Sequence, residues 1–273
     1  MIPRTIHYCW FGRGTKPDLA VKCINSWKKK CPDYDIVEWN EDNFDISNCP
    51  LYVRQAYETK KWAFVTDYVR LKVVYDHGGI YFDTDVELRK NLDTLLKYRG
   101  FFGFEDGKCI NTGLGFGAVK GLSLLRELMQ DYDNLAFVQE DGTYDRMPCP
   151  ERNTKIFLRH GLRQDDSLQM LENGIRILPS VYMCPINYIS GKRKWSVKTM
   201  SIHWYSESWK SIRDKKEMEE YRLLLERIKV QKRKQSCAEM KDFIFHVPNR
   251  MMRWLIGERG YEKLKSNLKR REE

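Results

Sequence analysis

Apolar and polar positions alternate in short blocks along this chain. Thr5-Ile6-His7-Tyr8-Cys9-Trp10-Phe11 is dense in β-formers and breaks at Gly12-Arg13-Gly14, which predicts a strand and a turn. From Pro17 to Lys30, Leu19, Val21, Ile24 and Trp27 fall at spacings compatible with an amphipathic helix. Tyr34 to Trp39 then alternates as a half-buried strand does, so the first forty residues read as a βαβ unit. Lys60 to His77 lacks Pro and Gly and stops at Gly78-Gly79, which predicts a helix and its end. Ile80-Tyr81-Phe82 follows as a short apolar strand running straight into Asp83-Thr84-Asp85.

Gly100 to Phe104 and Ile110 to Ala118 are glycine-rich and strand-like, places where another backbone or a ligand can come close. Leu122 to Met129 reads as a helix, and residues 139–155, with Gly142, Pro148 and Pro150, as a long polar loop. Short strands are expected at Ile175–Leu178 and Ser201–Trp204. A charged helix is expected from about Lys215 to Lys234, and beyond Pro248 another from Asn249 to about Lys269. The fold class is α/β, divided into a body of residues 1–212 and a basic helical extension of residues 213–273.

Composition narrows the function classes. The 273 residues include 12 Phe, 15 Tyr and 8 Trp, enough to fill a substantial core, so disordered and disulfide-stapled classes are excluded. No apolar run approaches the roughly 20 residues of a spanning helix, and the N-terminus lacks a signal-like apolar core. The expectation is a cytoplasmic protein. Eight scattered cysteines without a C-x-x-C pair read as individually packed thiols. The net charge of +10 sits mostly at one end: residues 210–273 carry 19 Lys and Arg against 11 Asp and Glu, the remainder 29 against 27. A near-neutral body gives no reason to expect a nucleic-acid partner.

The chemistry centres on Asp83 and Asp85. On an extended backbone, positions i and i+2 face the same side, so both carboxylates can converge on one cation. Hard oxygen ligands suit Mg²⁺ or Mn²⁺, and either ion can neutralise a diphosphate. Delivery of the pair by an apolar strand fits the rule that ligands bind outside the carboxyl ends of strands in open α/β sheets. Asp67 and Arg70 share one helix face, as a surface salt bridge or as a carboxylate–guanidinium fork for hydroxyls and phosphate. His203 is either a packed histidine or a third ligand, since a neutral imidazole binds Mn²⁺ beside carboxylates. Asn111 either forms a turn or contacts substrate hydroxyls.

The runs Ala63-Phe64-Val65-Thr66-Asp67-Tyr68-Val69-Arg70 and Gly78-Gly79-Ile80-Tyr81-Phe82-Asp83-Thr84-Asp85 resemble the DXD-containing sugar transferases of glycosyltransferase family 32. That family is related to yeast mannosyltransferases, bacterial capsule enzymes and the catalytic domains of large clostridial toxins. The opening Ile2-Pro3-Arg4-Thr5-Ile6-His7 with Trp10-Phe11-Gly12 is similar to its first strand, and Ile202-His203-Trp204 with Ser208-Trp209 to its closing motif. The resemblance covers residues 2 to about 209.

It implies a GT-A-type, Rossmann-like nucleotide-sugar domain over residues 1–212 and retaining hexose transfer from a nucleotide-sugar donor, UDP-sugar favoured. It also implies that Asp85 and Asp83 bind Mn²⁺ or Mg²⁺ with His203 completing the shell. Asp67 and Arg70 would hold the donor sugar, and Tyr81 would lie near the nucleotide or the sugar. Cys9 and Trp10 would border the base, and Ser208 and Trp209 would close over the diphosphate. The acceptor would be a glycan or lipid-linked molecule in capsular or other surface polysaccharide synthesis.

In the extension, Met251, Met252, Trp254, Leu255 and Ile256 lie among Arg250, Arg253 and Arg259. Such a helix lies on an anionic membrane surface or packs on the body with its charges solvated. The competing functions are a metal-dependent phosphohydrolase or nucleotidyltransferase, and an inactive carbohydrate- or membrane-binding relative.

Overall fold

Parallel pairing of two early strands begins the sheet. β1 (Thr5–Cys9) runs beside β2 (Asp35–Trp39), joined by α1 (Asp18–Lys30), so the expected βαβ unit forms. The computed structural model describes residues 1–188 and 190–206, together with 216, 219, 220, 223, 224, 227, 261 and 262. The chain divides into two units, Met1–Lys216 and Glu217–Glu273, and the first holds everything below. Ser208, Trp209 and nearly all of the two helices expected after residue 213 lie outside the described residues.

Next come α2 (Leu51–Glu58) and α3 (Trp62–His77), then β3 (Gly79–Tyr81) and β4 (Val86–Leu88). β5 (Gly100–Gly103), β6 (Phe116–Ala118), α4 (Ser123–Gln130) and α5 (Cys149–Arg159) follow. The described part closes with β7 (Gln169–Leu171), β8 (Ile175–Leu178), α6 (Ser180–Met183) and β9 (Ser201–His203). Seven strands form a mixed sheet in the order β2-β1-β3-β6-β5-β8-β7, and β4 and β9 form a separate antiparallel pair. This is the α/β class the sequence implies.

Successive residues of each strand feed opposite faces of the sheet. Tyr81, Phe102 and Phe116 pack with Val53, Val69, Leu125 and Phe157 from α2 to α5. Ile80, Phe82 and Phe101 pack instead with Ile24 and Trp27 of α1 and with Val86. The helix α3 has apolar residues nearly all round, as a buried helix should, and its interior includes Val65, Val69, Leu71 and Val74.

The passage from α3 into β3 requires its two glycines. Gly78 and Gly79 hold φ of 71° and 111°, and a Cβ on Gly79 would lie 2.7 Å from the Thr5 carbonyl and 2.8 Å from the His7 imidazole. His7 presses into that corner and donates Nε2–H to the Gly78 carbonyl at 2.8 Å, while its Nδ1 accepts from Trp39 at 3.1 Å. The start of β3 is thereby held against β1.

Two readings of local structure change. The expected loop at residues 139–155 ends in α5, whose first turn begins Cys149-Pro150-Glu151. Proline is favoured at that position, where its missing N–H costs nothing, so the two prolines mark a helix start. The expected strand at Ile110–Ala118 is a strand only over β6; Thr112–Leu114 form a 3₁₀ turn capped by the Asn111 side chain.

Candidate active site

Asp83 and Asp85 lie just beyond the C-terminal end of β3, where the Val86 N–H donates to the Asp83 carbonyl at 3.0 Å and closes a tight turn. The two carboxylates therefore converge through a turn, and the extended-strand geometry expected from sequence is replaced. Two side chains of α1 hold the following strand: Trp27 Nε1 donates to the Val86 carbonyl at 2.7 Å, and the Ser26 hydroxyl accepts the Leu88 N–H at 2.8 Å. On the other edge of β4, the register pairs Val86 with His203.

That register puts His203 beside Asp85, Nε2 to Oδ1 3.2 Å. Ligand atoms of Asp83, Asp85 and His203 all lie within 4.8 Å of one another. The Ser206 N–H donates to the other Asp85 oxygen at 2.8 Å. Burial pushes the Asp85 pKa up, but His203 and the Ser206 N–H outweigh it and hold the carboxyl well below the usual carboxylate range. For His203, burial lowers the pKa and the Asp85 carboxylate raises it, with a net rise well above the ordinary imidazole value. Asp83, with 28% of its side chain exposed, opens the cluster to solvent.

Beneath the turn lies Arg70. Its guanidinium contacts Asp67 at 2.9 Å and Asp83 at 3.3 Å, and only 4% of its side chain is exposed. The Asp67–Arg70 pair is therefore buried, which removes the surface salt-bridge reading. Arg70 Nε also donates to the Thr66 carbonyl at 2.9 Å, and the guanidinium lies 5.2 Å from the Tyr81 ring centre. The Tyr81 hydroxyl donates to Asp83 at 2.9 Å. Burial raises Asp67 to about 6 against the pull of Arg70, and burial also raises Asp83.

Asn111 both caps a turn and faces the cluster: its Oδ1 accepts the Gly113 N–H at 2.6 Å. Gly113 fills the space between these groups, since a Cβ there would lie 2.5 Å from Asp83 Oδ2 and 2.8 Å from Arg70 Nη1. Cys9 is buried, with Arg70, Tyr81 and Asp83 all acting on its thiol. Trp10, half-buried, donates Nε1–H to the Gly14 carbonyl at 2.6 Å.

Sequence reasoning missed several neighbours. Glu105 follows β5 and accepts from Asn111 Nδ2 at 3.1 Å, with His203 and Tyr205 also acting on its carboxyl; burial raises its pKa. Its place just past an apolar strand was a usable signal, the same one that marked Asp83. Cys149 and Asn153 of α5 contact the Thr112 hydroxyl at 3.5 and 3.0 Å, behind Asp67 and Asn111. Reading α5 as a loop hid them.

The donor set of two carboxylates and an imidazole fits a divalent cation of the Mn²⁺ or Mg²⁺ kind, the nitrogen favouring Mn²⁺. A larger hollow of about 560 Å³ borders Glu41, Asp42, Phe44 and Tyr57, and none of the clustered ligands lines it.

Residues 17–102, which include both aspartates, match the family described as the glycosyltransferase sugar-binding region containing the DXD motif. The chain is similar to inositol phosphoceramide mannosyltransferase 3 of Schizosaccharomyces pombe, 28% identical over 144 residues that make up 50% of this chain and 38% of that protein. It is also similar to mannosyltransferase 1 of that series, 27% identical over 37% of this chain and 33% of the relative. The chain thus spans well under half the length of these curated relatives. Among solved structures, the PaToxG glycosyltransferase aligns at 17% identity with a TM-score of 0.47, over 58% of this chain and 69% of its own.

Proposed function

We propose that this chain, which carries a DXD glycosyltransferase sugar-binding region over residues 17–102, is a metal-dependent retaining hexosyltransferase. Its donor is a nucleotide-sugar, UDP-sugar favoured, and its acceptor a glycan or lipid-linked molecule of surface polysaccharide synthesis. The observation that carries this reading is the meeting of Asp83, Asp85 and His203 over a buried Asp67–Arg70 pair at the end of β3.

Asp83, Asp85 and His203 would hold Mn²⁺ or Mg²⁺, which when bound neutralises a diphosphate leaving group. Tyr81 and Arg70 fix the orientation of Asp83, and Asp67 fixes Arg70. Asp67 and Arg70 then offer the donor sugar a carboxylate and a guanidinium held in one geometry. Cys9 and Trp10, at the end of β1, border the nucleotide side, and Asn111 reaches the sugar hydroxyls.

In the reaction, the bond from the anomeric carbon to the diphosphate oxygen breaks and its electron pair leaves with the diphosphate. The acceptor oxygen bonds to the same face of that carbon, and its proton passes to a leaving-group phosphate oxygen. The basic extension beyond residue 212 would rest on the anionic cytoplasmic face of a membrane.

Calorimetric titration of UDP and GDP, with Mn²⁺ and then with EDTA, tests the proposal. One nucleotide is expected to bind only with metal, and Asp85→Ala to weaken that binding about 100-fold or more. Folded protein that binds neither nucleotide overturns it.

A further inference from the structure

A cavity of about 290 Å³ adjoins the cation-binding cluster, with Glu105 on one part of its lining and Asn187, Lys192 and Lys194 on another. Glu105 belongs to both spaces, because Asn111, His203 and Tyr205 act on its carboxyl. The lysines come from a hydrogen-bonded hairpin: the Asn187 N–H donates to the Lys192 carbonyl at 2.8 Å, and the Lys194 N–H to the Pro185 carbonyl at 2.7 Å.

Between the lysines, Arg193 makes an antiparallel bridge to Ile186. Alternation across an extended segment sends residues i and i+2 to one side, which explains why Lys192 and Lys194 both line the cavity and Arg193 does not. Neither ammonium has a carboxylate partner among the described residues. Asp106, also on the rim, has Oδ1 engaged by the Lys108 and Cys109 N–H groups.

A lining of this kind selects its ligand by charge. A carboxylate accepts hydrogen bonds from hydroxyls and repels anions, whereas paired ammoniums attract a phosphate. Lys192 and Lys194 are solvent-exposed, so a neutral glycan would gain nothing from their charge, whereas a phosphate would pair with both. The volume, at the small end for ligand pockets, suits one sugar-sized group with its phosphate.

We propose that this cavity is the acceptor subsite and that it takes a hydroxylated acceptor bearing a phosphate, with Glu105 accepting from an acceptor hydroxyl other than the reacting one and Lys192 and Lys194 holding the phosphate. The inference rests on the transferase reading above and adds the chemical class of the acceptor. The phosphate comes either from a soluble sugar phosphate or from a lipid headgroup.

The test uses the full chain with Mn²⁺ and saturating UDP or GDP, whichever binds, so that the donor site is filled. Calorimetry compares glucose 1-phosphate with glucose, and flotation compares phosphatidylcholine vesicles with and without phosphatidylglycerol. Glucose 1-phosphate is expected to bind at least about tenfold more tightly than glucose, and Lys192→Glu with Lys194→Glu to abolish the difference. Glu105→Gln is expected to weaken both ligands while leaving their ratio. Phosphatidylglycerol vesicles that displace glucose 1-phosphate, and fail to do so in the double lysine variant, assign the phosphate to a lipid; a preference for glucose 1-phosphate without displacement assigns it to a soluble acceptor.

Equal binding of glucose and glucose 1-phosphate, or a preference that survives both lysine reversals, overturns the proposal. The same titrations report nucleotide binding. A protein that binds nucleotide but shows no phosphate preference loses only this inference, whereas one that binds no nucleotide loses the transferase reading as well.

Discussion

Arg70 and His203 each lie against an aspartate of the same turn, yet the chain holds them differently. Arg70 rises from the middle of a buried helix, pairs with two carboxylates, donates to the Thr66 carbonyl and lies against the Tyr81 ring. His203 arrives on a three-residue strand that pairs only with β4, and Asp85 and Cys184 act on its ring, with the Tyr205 ring 4.2 Å away. One side of the site is part of the hydrophobic core. The other is docked onto it by a short ladder. Loss of an Arg70 contact should therefore register in folding, while loss of a His203 contact should register in ligand binding.

Arg70→Ala puts the first part of that contrast at risk and should have the largest effect. It leaves Asp67 and Asp83 without their counter-charge, and breaking a buried pair in this way costs about 3–5 kcal/mol. Urea unfolding checks this; a loss below about 1 kcal/mol would place the pair outside the core.

A pH profile sharpens the same side through His7, which anchors the end of α3. The neutral ring makes both of its hydrogen bonds, Nε2–H donating to Gly78 and Nδ1 accepting from Trp39, and protonation would keep the first but lose the second. Burial lowers its pKa from the ordinary 6.5 to about 4; the Gly78 carbonyl opposes this and nearby His77 adds to it. The unfolded chain thus binds the proton more readily, so stability is complete above about pH 6.5 and falls as pH drops towards 4. The loss amounts to as much as roughly 3 kcal/mol. Unfolding midpoints of His7→Gln should lose this slope, and a slope unchanged from the parent assigns it to other groups.

The smallest effect is expected on the docked side. His203→Ala should weaken Mn²⁺-dependent nucleotide binding about tenfold, while its cost to unfolding free energy should stay below that of Arg70→Ala, because the Ser206 N–H still holds the Asp85 carboxylate. Calorimetry and urea unfolding on one preparation separate the two quantities. A large stability loss without a binding change would reverse the comparison.

Much of the core-built side was legible in advance. The helix over residues 60–77, its glycine stop and the apolar run into Asp83 are all local signals, and the structure forms them as α3 and β3. Asp67 and Arg70 could be placed on one face, but their burial could not, because it depends on Tyr81 and Gly113 closing over them. The docked side was harder to read. His203 carried a motif resemblance but no local signal of its neighbours, and Glu105 passed unnoticed although its place after the apolar strand β5 repeats the signal that marked Asp83. α2 was not anticipated either, and α5 was obscured by prolines that suit a helix start as well as a loop.

By itself, the sequence determined the α/β alternation, the glycine corner before β3 and the aspartate pair beyond it. Each follows from residues within a few positions of one another, where backbone sterics and hydrophobic period act directly. Only the tertiary structure decided that Val86 pairs with His203, that Trp27 and Ser26 of α1 hold the other edge of β4, and that Lys192 and Lys194 share a cavity with Glu105. Strand register and the meeting of distant loops are set by packing across the whole domain, since a one-residue slip would turn each side chain of the strand to its other face.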